Sequence, residues 1–170
     1  MALIIYDGTN PTTAQALSGV DDCVAFADAY YGSNLAGNDA EKEATIIRTN
    51  SYMMGLPWST EPANGLAQTV PFPRVGFIGV PWQVIQAQHM FARAEHQTTG
   101  ALNPTVTSGG LVKREKVDVL EVEYVEPKTA DASRQLVTDA LTLLKPFLKV
   151  GALADMGLTD HSRTWGIYTS

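Results

Sequence analysis

The chain of 170 residues contains a single cysteine, Cys23. One thiol cannot form an intrachain disulfide, and it cannot supply the ligands of a thiolate metal cluster. Cys23 lies on the apolar side of a predicted helix, so we interpret it as a small buried side chain. The first ten residues, MALIIYDGTN, have no basic leader and are too weakly apolar for a signal peptide or a membrane span. We therefore expect a soluble intracellular protein without membrane contact.

Motifs typical of catalytic sites are also missing. The sequence has no P-loop and no GxGxxG fingerprint. Ser59 and Ser108 lack the setting of a nucleophile elbow. His89 and His96 are seven residues apart on one predicted helix, a spacing too long for a shared metal ion. We expect no enzymatic activity, no cofactor and no metal site.

Positive charge is scarce. The net charge is −6 and the pI is near 4.9, whereas a dedicated nucleic-acid binder usually has a basic face. One local cluster places three basic residues within four positions: Lys113, Arg114 and Lys116. Nearby carboxylates offset it: Glu115, Glu121 and Glu123. With 45% hydrophobic residues, the chain is expected to fold as one domain rather than remain disordered.

The same cluster belongs to the most informative stretch of the sequence, about residues 110–126. A charged segment is followed there by an alternating one, a pattern that predicts a solvent-exposed β-hairpin. Folding the chain back at Asp118 brings opposite charges to facing positions: Lys116 with Glu121, and Arg114 with Glu123. Each such pair of opposite charges stabilises the two antiparallel strands by roughly 0.2–1 kcal/mol. Such a hairpin suits an assembly contact better than a catalytic pocket, although an ordinary solvated hairpin explains the pattern equally well.

Amphipathic patterns predict two helices in the first third of the chain. The first starts at Asp21, which can cap it, and stops at Gly32. Its apolar positions recur at helical spacing: Cys23, Phe26, Ala27 and Tyr30. The second starts at Asn38, whose spacing from Glu41 predicts a capping box, and stops at Gly55. Its predicted buried face consists of Ala40, Ala44, Ile47, Ser51 and Met54.

Two further helices are predicted in the second half. The third begins at Pro81, and its apolar stripe is broad: Val84, Ala87, Phe91 and Ala94, widened by Trp82, Ile85 and Met90. That breadth indicates contacts on two sides, one within the subunit and one with a neighbour. The last helix covers about residues 131–145 and is ended by Pro146. Its apolar side is Leu136, Val137, Ala140, Leu141, Leu144 and Phe147.

The remaining segments are expected to be irregular. Residues 55–80 are rich in glycine and proline, and three aromatic anchors favour packing on the helices: Trp58, Phe72 and Phe77. Residues 3–6 read as a short strand or an extended arm. Residues 151–170 have no helical period but carry Trp165, Ile167 and Tyr168, which suits either a docking arm or a tail packed on its own subunit. The predicted fold is mainly α: a small bundle of about four helices with a projecting β-hairpin and extended N- and C-terminal arms.

The order of these segments resembles a known family, the head–tail connector or adaptor (neck) proteins of long-tailed bacteriophages. Many of its members are labelled DnaT-like single-stranded DNA-binding proteins. The resemblance covers about residues 15–148 and is carried by four pieces: 26–30 (FADAY), 41–52 (EKEATIIRTNSY), 72–74 (FPR) with Val80-Pro81, and 112–124 followed by the leucine-rich helix ending LLKP. The chain departs from the family at Asp118, where many relatives have glycine, and in its last twenty residues.

The resemblance implies a structural virion protein rather than an enzyme. Residues 1–150 would form a helical adaptor domain; the assignment of residues 151–170 as an extended docking arm depends only on their apolar and aromatic composition. Copies of the chain would assemble in a homo-oligomeric ring, usually a dodecamer, below the portal protein and above a stopper or tail-terminator protein. Double-stranded DNA would pass through the channel without sequence-specific binding. The protein would be made in the host cytoplasm and end in the neck of the virion.

Three sets of candidate residues follow. For the subunit interface we select Arg114, Lys116, Glu121, Glu123, Tyr124, Trp82 and Ile85. For portal docking we select Trp165, Ile167 and Tyr168. The alternative function is single-stranded DNA binding in phage replication, for which the candidates are Lys113, Arg114 and Lys116.

Overall fold

The computed structural model describes residues 3–32, 35–103, 115–117, 120–122 and 128–151. Side chains are described for 3–32, 35–103 and 134–151. These residues form four α-helices: α1 (Val20–Tyr31), α2 (Asp39–Met54), α3 (Trp82–Gln97) and α4 (Lys128–Leu144). Short 3₁₀ turns cover Gly65–Ala67 and Lys145–Phe147. The prediction of a mainly α protein with four helices is confirmed.

Helix α3 is the centre of the fold. It packs most extensively against α4, and it also contacts α2 and α1. Every residue from Ala87 to Glu95 is buried, including the polar ones. The broad apolar stripe is therefore used within the subunit along most of the helix, and exposed residues lie at its two ends, Trp82 (62% exposed) and Gln97.

The start of α1 differs from the prediction. Gly19, not Asp21, is the N-cap, and the Asp22 carboxylate accepts a hydrogen bond from the Gly19 N–H. A Cβ atom at position 19 would lie 2.8 Å from Cδ1 of Ile5, so any larger residue there would displace the end of the Ile5 side chain. The end of the helix is as predicted, because Gly32 adopts a left-handed conformation (φ 64°) that terminates it.

Helix α2 has the predicted boundaries but buries another face. The capping box is present: the Asn38 side chain accepts from the Glu41 N–H, and the Glu41 carboxylate accepts from the Asn38 N–H. The buried residues, however, are Thr45, Ile46, Thr49, Asn50 and Met53. The predicted face was wrong, since Ile47 and Ser51 are exposed. Threonine and asparagine occupy buried positions that apolar periodicity cannot detect.

The glycine- and proline-rich loop between α2 and α3 packs on the bundle, as its aromatic residues predicted. Trp58 and Phe72 are buried and meet edge to face, with ring centroids 5.3 Å apart. Phe72 and Phe77 also contact Phe147 beyond α4. Arg74 is buried; it donates to the Pro71 and Thr60 carbonyls, and its guanidinium lies 5.0 Å from the Trp58 ring centre. These contacts fix the loop against the end of α4.

For the N-terminal segment we predicted a short strand or an extended arm; it is not a free arm, because Ile5 forms an isolated parallel β-bridge with Ala16. The Tyr6 N–H donates to the Ala16 carbonyl at 2.8 Å, and the Gln15 N–H donates to the Ile4 carbonyl at 2.7 Å. The chain thus folds back on itself before α1, and the Tyr6 side chain packs against the main core. The predicted C-terminal arm lies outside the described residues apart from Gly151.

Two short strands lie between α3 and α4 in the sequence. Strand β1 (Glu115–Val117) pairs antiparallel with β2 (Leu120–Val122), and Lys116 is the partner of Glu121. Arg114, Glu123 and the predicted turn at Asp118 lie outside the described residues. The structure therefore describes only the backbone pairing of these six residues. A hairpin that projects from the protein and has ion pairs on its surface stays a prediction. Within the described part, no helix combines the length and apolarity needed to cross a membrane.

A matched pair of substitutions tests the observed orientation of α2. Ile46 is fully buried, whereas its neighbour Ile47 is 38% exposed. We expect Ile46→Ala to lower the free energy of unfolding by about 2–4 kcal/mol, because it leaves a cavity in the core. Ile47→Ala should cost less than about 1 kcal/mol. Urea denaturation of both variants measures the difference; a larger loss for Ile47→Ala contradicts the observed orientation.

Candidate functional site

The predicted site residues fall into three groups in the structure. Trp82 is exposed and Ile85 is partly buried on the first turns of α3. Lys116 and Glu121 are paired across β1 and β2 at the backbone level. The others lie outside the described residues: Lys113, Arg114, Glu123, Tyr124, Trp165, Ile167 and Tyr168.

Arginines in the helical body are used for internal contacts. Arg74 holds the loop as described above. Arg93 is buried on α3, and its guanidinium lies 4.3 Å from the ring centre of Tyr31, a cation–π contact. Arg48 on α2 is half-exposed but bonded to Glu95 of α3. These three arginines are therefore used within the fold, whereas Arg134 on α4 is exposed.

Glu95 is the best-connected side chain of the described part. It is 3% exposed, and Oε1 accepts from Arg48 Nε at 3.0 Å. The Gly100 N–H donates to both carboxylate oxygens at 3.1 Å, and the Leu102 N–H donates to Oε2 at 3.4 Å. Arg48 Nη2 also donates to Thr45 Oγ1 at 3.1 Å. One buried carboxylate thus ties α2 to the turn that follows α3.

A groove of about 620 Å³ lies beside this ion pair. Its lining joins one side of α2, the residues after α2 and the turn after α3: Ile47, Arg48, Ser51, Tyr52, Gly55, Leu56, Glu95, Thr99, Gly100, Leu102 and Asn103. Most of these side chains are apolar or small, and the polar groups cluster at the ion pair. Such a groove can bind an apolar segment. Sequence analysis missed it, because Arg48 and Glu95 are 47 positions apart and no local motif connects them.

His89 and Cys23 occupy buried positions between α1 and α3. His89 Nε2 and Ser18 Oγ are 2.5 Å apart, and the His89 ring lies 5.2 Å from that of Phe26. Burial lowers the pKa of His89, while the Asp22 carboxylate opposes that shift. Burial raises the pKa of the Cys23 thiol to about 12, so it stays protonated at neutral pH. Both side chains are structural in this setting.

Several large apolar side chains are exposed in and after the loop between α2 and α3. Leu66 and Ile78 are fully exposed, Trp82 is 62% exposed and Val75 is 58% exposed. Tyr30 at the end of α1 is 66% exposed and stacks on Phe26, with ring centroids 4.5 Å apart. Exposed apolar groups of this size are typical of protein contact surfaces when they are contiguous. Among the described residues, no cluster of three or more His, Cys, Asp or Glu side chains is arranged to hold a metal ion.

These features define a small, mainly helical protein with a packed interior and a groove beside a buried ion pair. A family model described as "Putative DnaT-like ssDNA binding protein" matches residues 1–159. Because the match covers nearly the whole sequence, the chain belongs to this family. It agrees with the label that the resemblance attached to the chain, but it says nothing of a head–tail connector. No curated protein and no solved structure matches the chain.

Acidification offers a test of the His89 environment. Since the folded-state pKa of His89 lies below its ordinary value of 6.5, the unfolded chain binds more protons as the pH falls below that value. The contribution of neutral His89 to the free energy of unfolding is therefore fully present above pH 6.5, and it is lost as the pH falls towards the lowered pKa. We expect the Tm to fall between pH 7 and 5.5, and His89→Gln to flatten this dependence.

His96, on the same helix and only partly buried, supplies the matched control. His96→Gln should keep the pH dependence of the wild-type protein. Thermal unfolding followed by circular dichroism measures all three proteins. An unchanged pH dependence in His89→Gln would mean that other groups destabilise the fold at low pH.

Proposed function

We propose that the protein binds single-stranded DNA, weakly and without sequence preference. The observation that carries the proposal is the match of residues 1–159 to a family described as DnaT-like and single-stranded DNA-binding. The order of the two functions is thus changed: from the sequence we predicted a structural adaptor, with DNA binding as the alternative, and we now prefer DNA binding. The role proposed is one of binding, not of catalysis.

The contacts to DNA are proposed to come from Lys113, Arg114 and Lys116. Three arginines of the helical body are used within the fold, since Arg74 and Arg93 are buried and Arg48 is paired with Glu95, whereas Arg134 on α4 is exposed but isolated in sequence from other basic residues. The cluster at 113–116 is the densest run of basic residues in the sequence. Phosphate contacts by lysine and arginine supply most of the affinity in non-specific binding.

The charge of the protein also determines the expected affinity for DNA. With a net charge of −6, the protein as a whole repels DNA, so the local cluster must act at short range. Three phosphate contacts on a single strand predict a slope of about −2 in a plot of log K against log salt. Binding should consequently be measurable at low salt and weak near physiological ionic strength.

Neutralising the cluster tests the proposal directly. The variant Lys113→Ala/Arg114→Ala/Lys116→Ala should lose at least about tenfold in affinity for a labelled oligothymidylate at low salt and lose most of the salt dependence. Fluorescence anisotropy at several salt concentrations measures both quantities.

Arg134 and Lys149 are exposed on or just after α4, and their removal is a control that takes away two positive charges outside the cluster. Arg134→Ala/Lys149→Ala should retain most of the affinity and of the salt dependence. An equal loss in both variants would indicate attraction by overall charge only, and no binding by the wild-type protein at low salt would refute the proposal.

A second candidate function is the head–tail adaptor ring of a bacteriophage neck. The specific observation in its favour is the exposed apolar set at the loop and at the start of α3, particularly Ile78 and Trp82. An acidic subunit also suits a channel through which DNA slides. Here the subunit interface would use Trp82, Ile85 and the strand pair, through Arg114, Lys116, Glu121, Glu123 and Tyr124. The portal contact would use Trp165, Ile167 and Tyr168, and the stopper or tail terminator would bind the opposite side.

Locating the chain in a virus particle separates the two functions. Electron cryomicroscopy of the particle should show a closed ring of this chain, with the expected twelve copies, below the portal if the adaptor function is right. A head-to-tail ring requires a heterologous interface that closes on itself. Absence of the chain from the particle, together with salt-sensitive DNA binding, would leave single-stranded DNA binding as the function.

A further inference from the structure

The groove beside the Arg48–Glu95 pair has no role in either proposed function. Its apolar lining includes Ile47, Leu56 and Leu102. Ile47 is 38% exposed there, although isoleucine is usually buried in a folded protein. An apolar groove on a helix surface commonly receives apolar side chains of a peptide segment.

The chain leaves the helical bundle at the edge of this groove. After α4, the Lys149 N–H donates to the Pro57 carbonyl at 2.9 Å, and the Ser59 N–H donates to the Phe147 carbonyl at 2.9 Å. The two segments are thus antiparallel, with the bridge between them centred on Trp58 and Leu148. The residue before Pro57 is Leu56, which lines the groove. Lys149 is therefore bonded to the residue next to the groove lining, and the chain turns at Val150 and Gly151, just beyond it.

The sequence that follows supplies a suitable occupant. Residues 152–170 contain few charges, and near their end Trp165, Ile167 and Tyr168 stand close together. Extended at about 3.3 Å per residue, 152–164 reach roughly 40 Å, which is ample to cross the groove and return along it. The family match ends at residue 159, so these aromatic residues lie outside the part shared with the family.

Another segment also starts at the groove, since Asn103 is part of its lining. The residues that follow, PTVTSGG at 104–110, include only one large apolar side chain, Val106. Apolar area is the main source of affinity for such a groove. The C-terminal segment is therefore the better occupant.

We propose that the groove between α2 and the turn after α3 is the binding site for the chain's own C-terminal segment, with Trp165, Ile167 or Tyr168 seated in it. A tethered segment has a high effective concentration at its own site, so even weak contacts hold it there. Binding within the chain shields the aromatic residues until a partner competes for them. This inference rests on neither proposed function.

Disulfide trapping in the full-length protein tests the proposal. Ser51 is exposed and lines the groove, and Thr169 is adjacent to the aromatic set without belonging to it. The native Cys23 is buried, and burial raises the pKa of its thiol to about 12, so it does not compete for oxidation. We expect Ser51→Cys/Thr169→Cys to form an intrachain disulfide under mild oxidation. Mobility on non-reducing gels and intact mass identify the product.

Ala40 provides the matched control, because it is exposed on the same helix but outside the groove. The pair Ala40→Cys/Thr169→Cys should oxidise at least about tenfold more slowly, given that docking raises local concentration only at the groove. Adding Trp165→Ala/Ile167→Ala/Tyr168→Ala to the first pair should reduce its rate to that of the control.

Three results would overturn the inference. Equal rates for the two cysteine pairs would mean that the segment samples the surface without docking. A fast rate that survives removal of the three aromatic and apolar side chains would mean that they are not the docked groups. Predominantly interchain disulfides would assign the groove to a second copy of the chain instead.

Discussion

Burial of α3 from Ala87 to Glu95 is the constraint on which the rest of the structure depends. An unpaired buried polar group costs several kcal/mol, so polar side chains in this stretch favour partners within the protein. The buried amide of Gln88 has no hydrogen-bond partner among the described residues. Three other polar side chains each meet a different part of the chain: His89 meets Ser18 before α1, Arg93 meets Tyr31 at the end of α1, and Glu95 meets Arg48 of α2. The polar residues of one helix thereby specify where its neighbours pack.

That arrangement shapes the surface as well as the interior. Arg93 and Arg74 are buried and Arg48 is paired, while the exposed side chains include large apolar ones such as Ile78 and Trp82. The densest run of basic residues in the sequence is at 113–116. A packed helical body together with this basic run is consistent with the family of DnaT-like single-stranded DNA-binding proteins to which the chain belongs. It is equally consistent with a subunit that uses its exposed apolar residues for assembly.

Much of the fold could be predicted from the sequence where local signals are strong. The capping box at Asn38, the stop at Gly32 and the apolar face of Val84, Ala87 and Phe91 were all confirmed. The buried face of α2 was wrong, because Thr49 and Asn50 are buried in place of apolar residues. The N-terminal arm was wrong because its backbone hydrogen bonds to residues 15 and 16 leave no periodic signal.

Functional features were harder to predict, for a physical reason. The groove depends on the ion pair between Arg48 and Glu95, on different helices, and on the turn that Glu95 holds through the N–H groups of Gly100 and Leu102. Sequence spacing cannot reveal such a contact, since it exists only once α2 and α3 are packed. The exposure of Ile47 could not be predicted either, because it depends on which face of α2 packs against α3.

Amide hydrogen exchange of the full-length protein, with and without oligothymidylate, tests the central claim most directly. The account predicts that α3 exchanges most slowly, since buried hydrogen-bonded segments open only with the whole fold. It also predicts that DNA slows exchange in peptides covering 111–124 and leaves α1 to α3 unchanged. Fast exchange in α3, or protection by DNA confined to the helical body, would contradict it.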